Sequence, residues 1–240
     1  MKMTTRLTTG IAAAVALSLV CGSSARAALI DDFSDTDLSQ YTSTVILDAG
    51  GTGSNTATWS SPSGSLQLDT TAYDGIEQYA MIYNGLSLGV GQEVQVDLTH
   101  SGASQDLGLY VGGTTPVVNM RQDYVSVYAR GDGSIYSRGF DGTSEYGLAG
   151  VGVQPYDSLF IARTAANTYE AGYYNGAVRN IVTTRTPTTP NDGDVVGFYA
   201  DVRALGTLGN LDNLRIVPEP ASLALAGLAL AGLAVVRRRK

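Results

Sequence analysis

The chain is poor in the side chains that usually carry chemistry. Its one cysteine, Cys21, stands near the N-terminus, so residues 28–216 contain none. That excludes a disulfide framework, a thiolate nucleophile and a cysteine metal site there. His100 is the sole histidine. A structural zinc site or a serine–histidine triad would have nothing else to draw on, and no Gly-x-Ser-x-Gly elbow occurs. His100 therefore reads as a polar residue at a strand end. Glutamate is scarce too: Glu77, Glu93, Glu145, Glu170 and Glu219. None lies two residues from another acid, the spacing that sets two carboxyls side by side on one strand. Glu93 and Asp97 share a face, but four strand residues at about 3.3 Å each hold their backbones roughly 13 Å apart. The sequence reads as that of a non-enzyme.

Basic residues are rare between the ends. Only eight arginines, and no lysine, fall between Ala28 and Val217, against 21 of the 22 acidic residues, a balance of −13. A surface of that sign repels nucleic acid and anionic membranes. The remaining positive charge sits at the ends: Lys2, Arg6 and Arg26, then Arg237, Arg238, Arg239 and Lys240.

The N-terminal charges precede a mostly apolar run, Ile11 to Val20, and then Ala25-Arg26-Ala27. A basic start, a short apolar core and small residues at Ala25 and Ala27 predict a signal helix over 1–27, cut by signal peptidase after Ala27. Val20 is not small, so Cys21 is not read as a lipoprotein cysteine.

The C-terminal charges come after Pro218-Glu219-Pro220 and Ala221 to Val236, a run of 16 residues without charge. The prolines separate a folded domain from the apolar run. That run is slightly short of a usual span, which bilayer thinning and arginine snorkelling can absorb. The closing basic cluster acts as a membrane stop with its end in the cytoplasm. A single-span anchor accounts for the helix and the charges. The ordered set of Pro-Glu-Pro, apolar helix and terminal basic cluster resembles the PEP-CTERM sorting domain of Gram-negative bacteria, over residues 217–240. That resemblance implies recognition by an exosortase, cleavage near Pro218-Glu219-Pro220, and association with exopolysaccharide or biofilm matrix. The expected course is export, transient anchoring in the inner membrane with the domain on the periplasmic side, then the cell surface or the medium.

Residues 28–216 are predicted to be all-β, an antiparallel sandwich between the two terminal helices. Apolar residues alternate in Glu93 to Thr99, the pattern of a half-buried strand. Tyr124 to Ala129, Leu159 to Ala162, Thr168 to Tyr174, Ala177 to Val182 and Val195 to Val202 read likewise, about a dozen strands in all. Turns are expected at Asn84-Gly85, Gly131-Asp132-Gly133, Asp141-Gly142, Asn175-Gly176 and Asp192-Gly193, and a Thr/Pro loop from Thr183 to Pro190. The opening Asp31-Asp32-Phe33-Ser34-Asp35, the central hairpin of 158–163 with 169–176, and the closing 196–200 and 211–216 resemble the concanavalin A-like lectin/glucanase jelly roll. That resemblance implies that the first and last strands share a sheet. An immunoglobulin-like sandwich is the alternative.

Binding chemistry has three candidates. Tyr124 with Tyr128, and Tyr169 with Tyr173, share strand faces, where exposed rings would stack on sugars; tyrosine is also a good core-covering strand residue. Asp31, Asp32, Asp35 and Asp212 offer the hard oxygens that calcium takes, and aspartate equally caps turns. Arg130-Gly131-Asp132 spells an adhesive tripeptide but falls where a hairpin should turn. The function read from all this is a non-catalytic surface or matrix protein, with a carbohydrate-binding lectin-like module as the alternative and a glycan-cleaving enzyme behind it.

Overall fold

A computed structural model describes residues 27–49, 56–72, 75–99, 106–113, 124–141, 144–145, 147–187 and 194–218. The expected signal helix with Ala25, the tail from Glu219 onward, His100 and the Asp192-Gly193 turn lie outside them. Contacts divide the chain into a unit of Ala28–Ile216 and a unit of the two terminal segments.

Among the described residues there are sixteen strands and no helix. The chain runs β1 (Ala28–Asp31), β2 (Tyr41–Ala49), β3 (Thr56–Ser60), β4 (Leu66–Ala72), β5 (Ile76–Ser87), β6 (Gln92–Thr99), β7 (Asp106–Gly112) and β8 (Tyr124–Arg130). It continues through β9 (Ser134–Asp141), β10 (Ser144–Glu145), β11 (Ala149–Val153), β12 (Ser158–Ala165), β13 (Thr168–Asn175), β14 (Val178–Arg185), β15 (Val195–Val202) and β16 (Gly206–Pro218). Sheet I has the order β14-β13-β12-β6-β16-β4-β3, with β1 added on β16. Sheet II has the order β10-β9-β8-β7-β15-β5-β2, with β11 added on β9. The paired strands run antiparallel. The first strand does lie against the last: Ala28 pairs with Ile216 and Leu29 with Arg215.

One core fills the space between the sheets. Sheet I contributes Leu66, Leu68, Val94, Val96, Leu159 and Ile161, and sheet II contributes Leu107, Leu109, Val125, Val127, Val196 and Phe198. Alternation along each strand puts these side chains on the inner face and their neighbours on the outer face. The entrance to the domain is clamped into this core. Phe33 sits at φ 51°, a backbone region that a bulky residue rarely adopts. Its N–H donates to Asp31 Oδ1 at 2.7 Å, its carbonyl accepts from Ser61 Oγ at 2.9 Å, and its ring packs against Tyr41 and Phe198.

Two expected turns behave as read. Gly131-Asp132-Gly133 joins β8 to β9, with Gly133 at φ 85° and its N–H on the Arg130 carbonyl. Gly176 turns β13 into β14 at φ 58°. Two other expectations are corrected. Asn84-Gly85 is no hairpin: β5 runs through it, because its two flanks pair with β2 and β15 rather than with each other. The dipeptide instead lets β5 bulge, so that Ile82 and Ser87 meet Gly197 and Val195. Thr183 to Arg185, expected in a loop, complete β14, because Tyr169, Glu170 and Ala171 offer them a ladder.

Candidate functional site

The outer face of sheet II carries a cluster of tyrosines and, at one end, a group of ion pairs. β7, β8 and β15 turn Leu, Val and Phe inward. Outward go Asp106 and Tyr110 from β7, Tyr124, Ser126, Tyr128 and Arg130 from β8, and Tyr199 and Asp201 from β15. The register interleaves large and small side chains. Tyr199 and Tyr128 flank Gly108; Gly197 and Ser126 flank Tyr110; Gly112 sits beside Tyr124. A Cβ on Gly112 would stand 2.5 Å from the Tyr110 hydroxyl and 2.6 Å from Tyr124 Cβ, so glycine makes the room these rings fill. The rings run near-parallel across the strands. Centroids are 5.5 Å apart for Tyr110–Tyr124, 6.2 Å for Tyr124–Tyr199, 5.2 Å for Tyr128–Tyr199 and 6.1 Å for Tyr128–Tyr136. These tyrosines form a second apolar cluster with Ile46, Ala80, Ile82 and Val195.

One end of this face is ionic. Asp106 and Asp201 are direct cross-strand partners, an arrangement that leaves opposed Cβ atoms about 5 Å apart. Arg130 Nε reaches Asp106 Oδ1 at 3.1 Å. Arg203 grips Asp201 with two nitrogens, at 3.1 and 2.9 Å, and Gln78 Nε2 donates to it at 3.1 Å. Arg138 adds a longer 3.5 Å contact to Asp201 and pairs with Glu145 at 3.0 Å. The two carboxylates are 1% and 0% exposed. Burial, then the charge of Asp201, pushes the Asp106 carboxyl up to about 7, against the pull of Arg130 and Arg203. Burial likewise raises the phenols of Tyr128 and Tyr199.

The outer face of sheet I carries a separate network. Arg179 binds Glu93 at 2.9 Å and Glu170 at 2.8 Å, with its guanidinium carbon 4.0 Å from the Phe160 ring centroid. Tyr174 donates to Glu93 at 2.8 Å; burial and that carboxylate push its phenol up to about 12. Asp97 is held instead by Arg215 at 2.8 Å and by Asn213 Nδ2 at 3.0 Å. Glu93 and Asp97 thus share a face as the sequence implied, each bound to its own arginine. Glu93 is buried, where a half-buried strand was expected to turn its polar residues to solvent, because the side chains of Arg179 and Tyr174 close over it.

The expected site residues separate. Tyr124 and Tyr128 come together on the outer face of sheet II, but buried. Tyr169 and Tyr173 point inward as parts of the main core. Their expected exposed rings are corrected to core rings: β13 turns Tyr169, Ala171 and Tyr173 to the inner face, and Tyr169 bonds the buried Asp194. Asp31, Asp32 and Asp35 line one cavity of about 290 Å3 with Gln40 and Tyr83. Asp212 is not in its walls; it binds the Asn213 N–H at 2.7 Å. Both Asp31 oxygens are occupied, by the Phe33 N–H and by Gln40 and Tyr41. The Asp32 carboxyl is held low by the Ser34 side chain and N–H. Among the described residues no three acidic, histidine or cysteine side chains form a metal-binding group, and the bonds that Asp31 and Asp32 accept from the Phe33 and Ser34 N–H groups are those of turn capping. Arg130 of the Arg-Gly-Asp triplet is turned onto Asp106. The Asp106–Asp201 pair escaped the sequence, since 95 positions separate its members and only strand pairing joins them.

Residues 217–240 match the PEP-CTERM protein-sorting motif. The tail is a PEP-CTERM sorting motif. A PEP-CTERM motif marks a secreted protein processed at a membrane by an exosortase. No curated protein matches the chain. The domain ahead of the PEP-CTERM motif has the concanavalin A-like lectin/glucanase fold, by likeness to several solved structures. The Ca2+- and Man3GlcNAc-bound exoplasmic/lumenal domain of VIP36 superposes with TM-score 0.50 at 12% identity, over 79% of this chain and 87% of that one. A prokaryotic β-1,3-1,4-glucanase (lichenase) from a mouse hindgut metagenome gives 0.51 at 12%, over 78% and 97%. A LamA variant from Z. galactanivorans, bound to laminaritriose and laminaritetraose, gives 0.52 at 9%, over 80% and 98%.

Proposed function

We propose that the chain is an exported, non-catalytic protein of the cell surface or exopolysaccharide matrix, delivered by its tail with the sandwich outermost. The observation that carries this is the sorting motif at 217–240 behind a compact β domain. The non-catalytic reading is supported by how the acids are engaged. Glycosidic cleavage needs two carboxyls free to flank a sugar. Asp106 and Asp201 are neighbours with one raised pKa, yet both are buried beneath arginines. Glu93 and Glu170 share the single cation of Arg179. Replacing Pro218, Glu219 and Pro220 with alanine should leave a membrane-bound precursor, read as intact mass in membrane and medium fractions. Unchanged processing would reduce the tail to a plain anchor.

Carbohydrate binding is the second reading, and the likeness of the sandwich to a Man3GlcNAc-bound lumenal domain and to a laminaritriose- and laminaritetraose-bound LamA variant favours it. The processed protein should then be retarded in affinity electrophoresis through β-glucan or mannan gels. Free migration in both gels would discard this reading, and sugar release from either polymer would discard the non-catalytic one.

A further inference from the structure

The two ends of the β domain meet on one rung of sheet I. β1 opens at Ala28, the residue that follows the expected signal cut, and Ala28 pairs with Ile216. β16 runs on through Val217 and Pro218, the first residues of the sorting motif. No spacer separates the sheet from the motif. The bond between Ala27 and Ala28 and the start of the motif thus flank the same rung, on facing strands. Paired antiparallel strands hold their Cα atoms about 5 Å apart. Both strands of the rung are fixed. Leu214 and Ile216 are buried in the core, and Arg215 between them is held by Asp97 at 2.8 Å and Gln95 at 2.9 Å, both on β6. Asp31, at the far end of β1, accepts from the Phe33 N–H, Gln40 and Tyr41. Ala27, Ala28 and Leu29 are exposed, so this end of the sheet is open to an enzyme.

We propose that the two processing cuts have a compulsory order: removal of the signal segment comes first and supplies the form of the chain that the sorting peptidase can cut. This rests on the export-and-sorting reading above and on a signal cut after Ala27. A peptidase takes several residues of its substrate as an extended strand in a cleft, much as a sheet edge takes an added strand. Strands in a sheet lie about 4.8 Å apart, so the wall of a cleft has no room between two neighbouring chains. On the folded domain, a chain still joined to Ala28 leaves the rung beside Val217, and each chain stands where the cleft around the other must go. One sequence of events avoids this deadlock. The N-terminal end of the domain is exported first, before β16 can pair, so the signal peptidase meets a free chain. It hydrolyses the Ala27–Ala28 bond, leaving a carboxylate on Ala27 and an amine on Ala28. β1 then pairs with β16 and ends at the rung, which leaves the motif without a neighbour there. The sorting cut follows, with water or an acceptor amine taking the acyl group.

Intact mass of the full chain and its products, in membrane and medium fractions of cells that process the parental protein, tests this. Ala25→Phe together with Ala27→Phe puts large side chains where the signal peptidase takes small ones, and leaves the domain and the tail unaltered. The expected result is a loss of tail-cut product, with the chain accumulating intact at both ends. A Gly-Ser spacer inserted between Ile216 and Val217 carries the motif off the rung. It should restore tail cutting to the double variant with the signal segment still attached. The same spacer in the parental chain should leave tail cutting as it was. Tail-cut product that keeps its signal segment, in the double variant without the spacer, overturns the proposal. So does a spacer that fails to rescue, or one that stops tail cutting in the parental chain. None of these outcomes touches the sorting reading, which fails instead if alanine at Pro218, Glu219 and Pro220 leaves the parental tail cut as before.

Discussion

The two outer faces of this sandwich are built on opposite plans. On sheet I, long charged side chains lie across the strands and pair: Glu93, Arg179 and Glu170 in one group, Asp97 and Arg215 in another. On sheet II, tyrosines interleave with glycines into a second buried layer, and charge is confined to the Asp106–Asp201 end. Both plans hide a strand's second face, at different cost. Partly exposed ion pairs contribute little net stability, whereas packed rings contribute area and dispersion. The tyrosine layer should therefore carry far more of the fold's stability than the ionic one.

Deleting a ring breaks this comparison most sharply. Tyr199→Ala removes a fully buried ring stacked between Tyr124 and Tyr128, and should cost about 3–5 kcal/mol in urea unfolding. Tyr174→Ala on sheet I should cost less than half of that, since Tyr174 is only half-buried. Equal losses would mean that the two faces are energetically alike.

Proton linkage gives the next largest effect. The Asp106 carboxyl sits near 7 in the fold against an ordinary 3.8. Between about pH 4 and 7 the native chain holds a proton that the unfolded chain has released. Unfolding then releases protons, so stability from this group is full below about pH 4 and falls as pH rises toward 7. The loss should be on the order of 2–4 kcal/mol. Asp106→Asn should flatten that part of the stability–pH curve; a mutant with the parental slope would assign the slope to another group. The matching acid on sheet I, Glu93, gives the smallest effect. Glu93→Gln leaves Arg179 with Glu170 and keeps a hydrogen-bonding group beside Tyr174, so chemical denaturation should register no more than about 1–2 kcal/mol.

Much of the fold was legible because strand alternation is local. β6, with Val94, Val96 and Leu98 alternating, was readable as it stands, as was the hairpin of β12 and β13 and its turn into β14 at Gly176. The same reasoning failed for tyrosine. Tyr124/Tyr128 and Tyr169/Tyr173 have identical spacing, yet one pair covers the outside of sheet II and the other fills the main core. A tyrosine suits either place, so its position is decided by the strands across from it. Asn84-Gly85 failed for a related reason: a dipeptide tolerant of positive φ signals a bend, but not whether its two flanks pair with each other.

By itself, the sequence determined the sorting tail, the absence of cysteine chemistry and the all-β character, because each rests on local composition or on a contiguous pattern. Only the tertiary structure decided that Asp106 stands beside Asp201, that the tyrosines interleave with glycines of neighbouring strands, and that β14 is left as an edge. Those are facts of strand order and register, set by the packing of segments far apart in the chain, and no single stretch of sequence contains them.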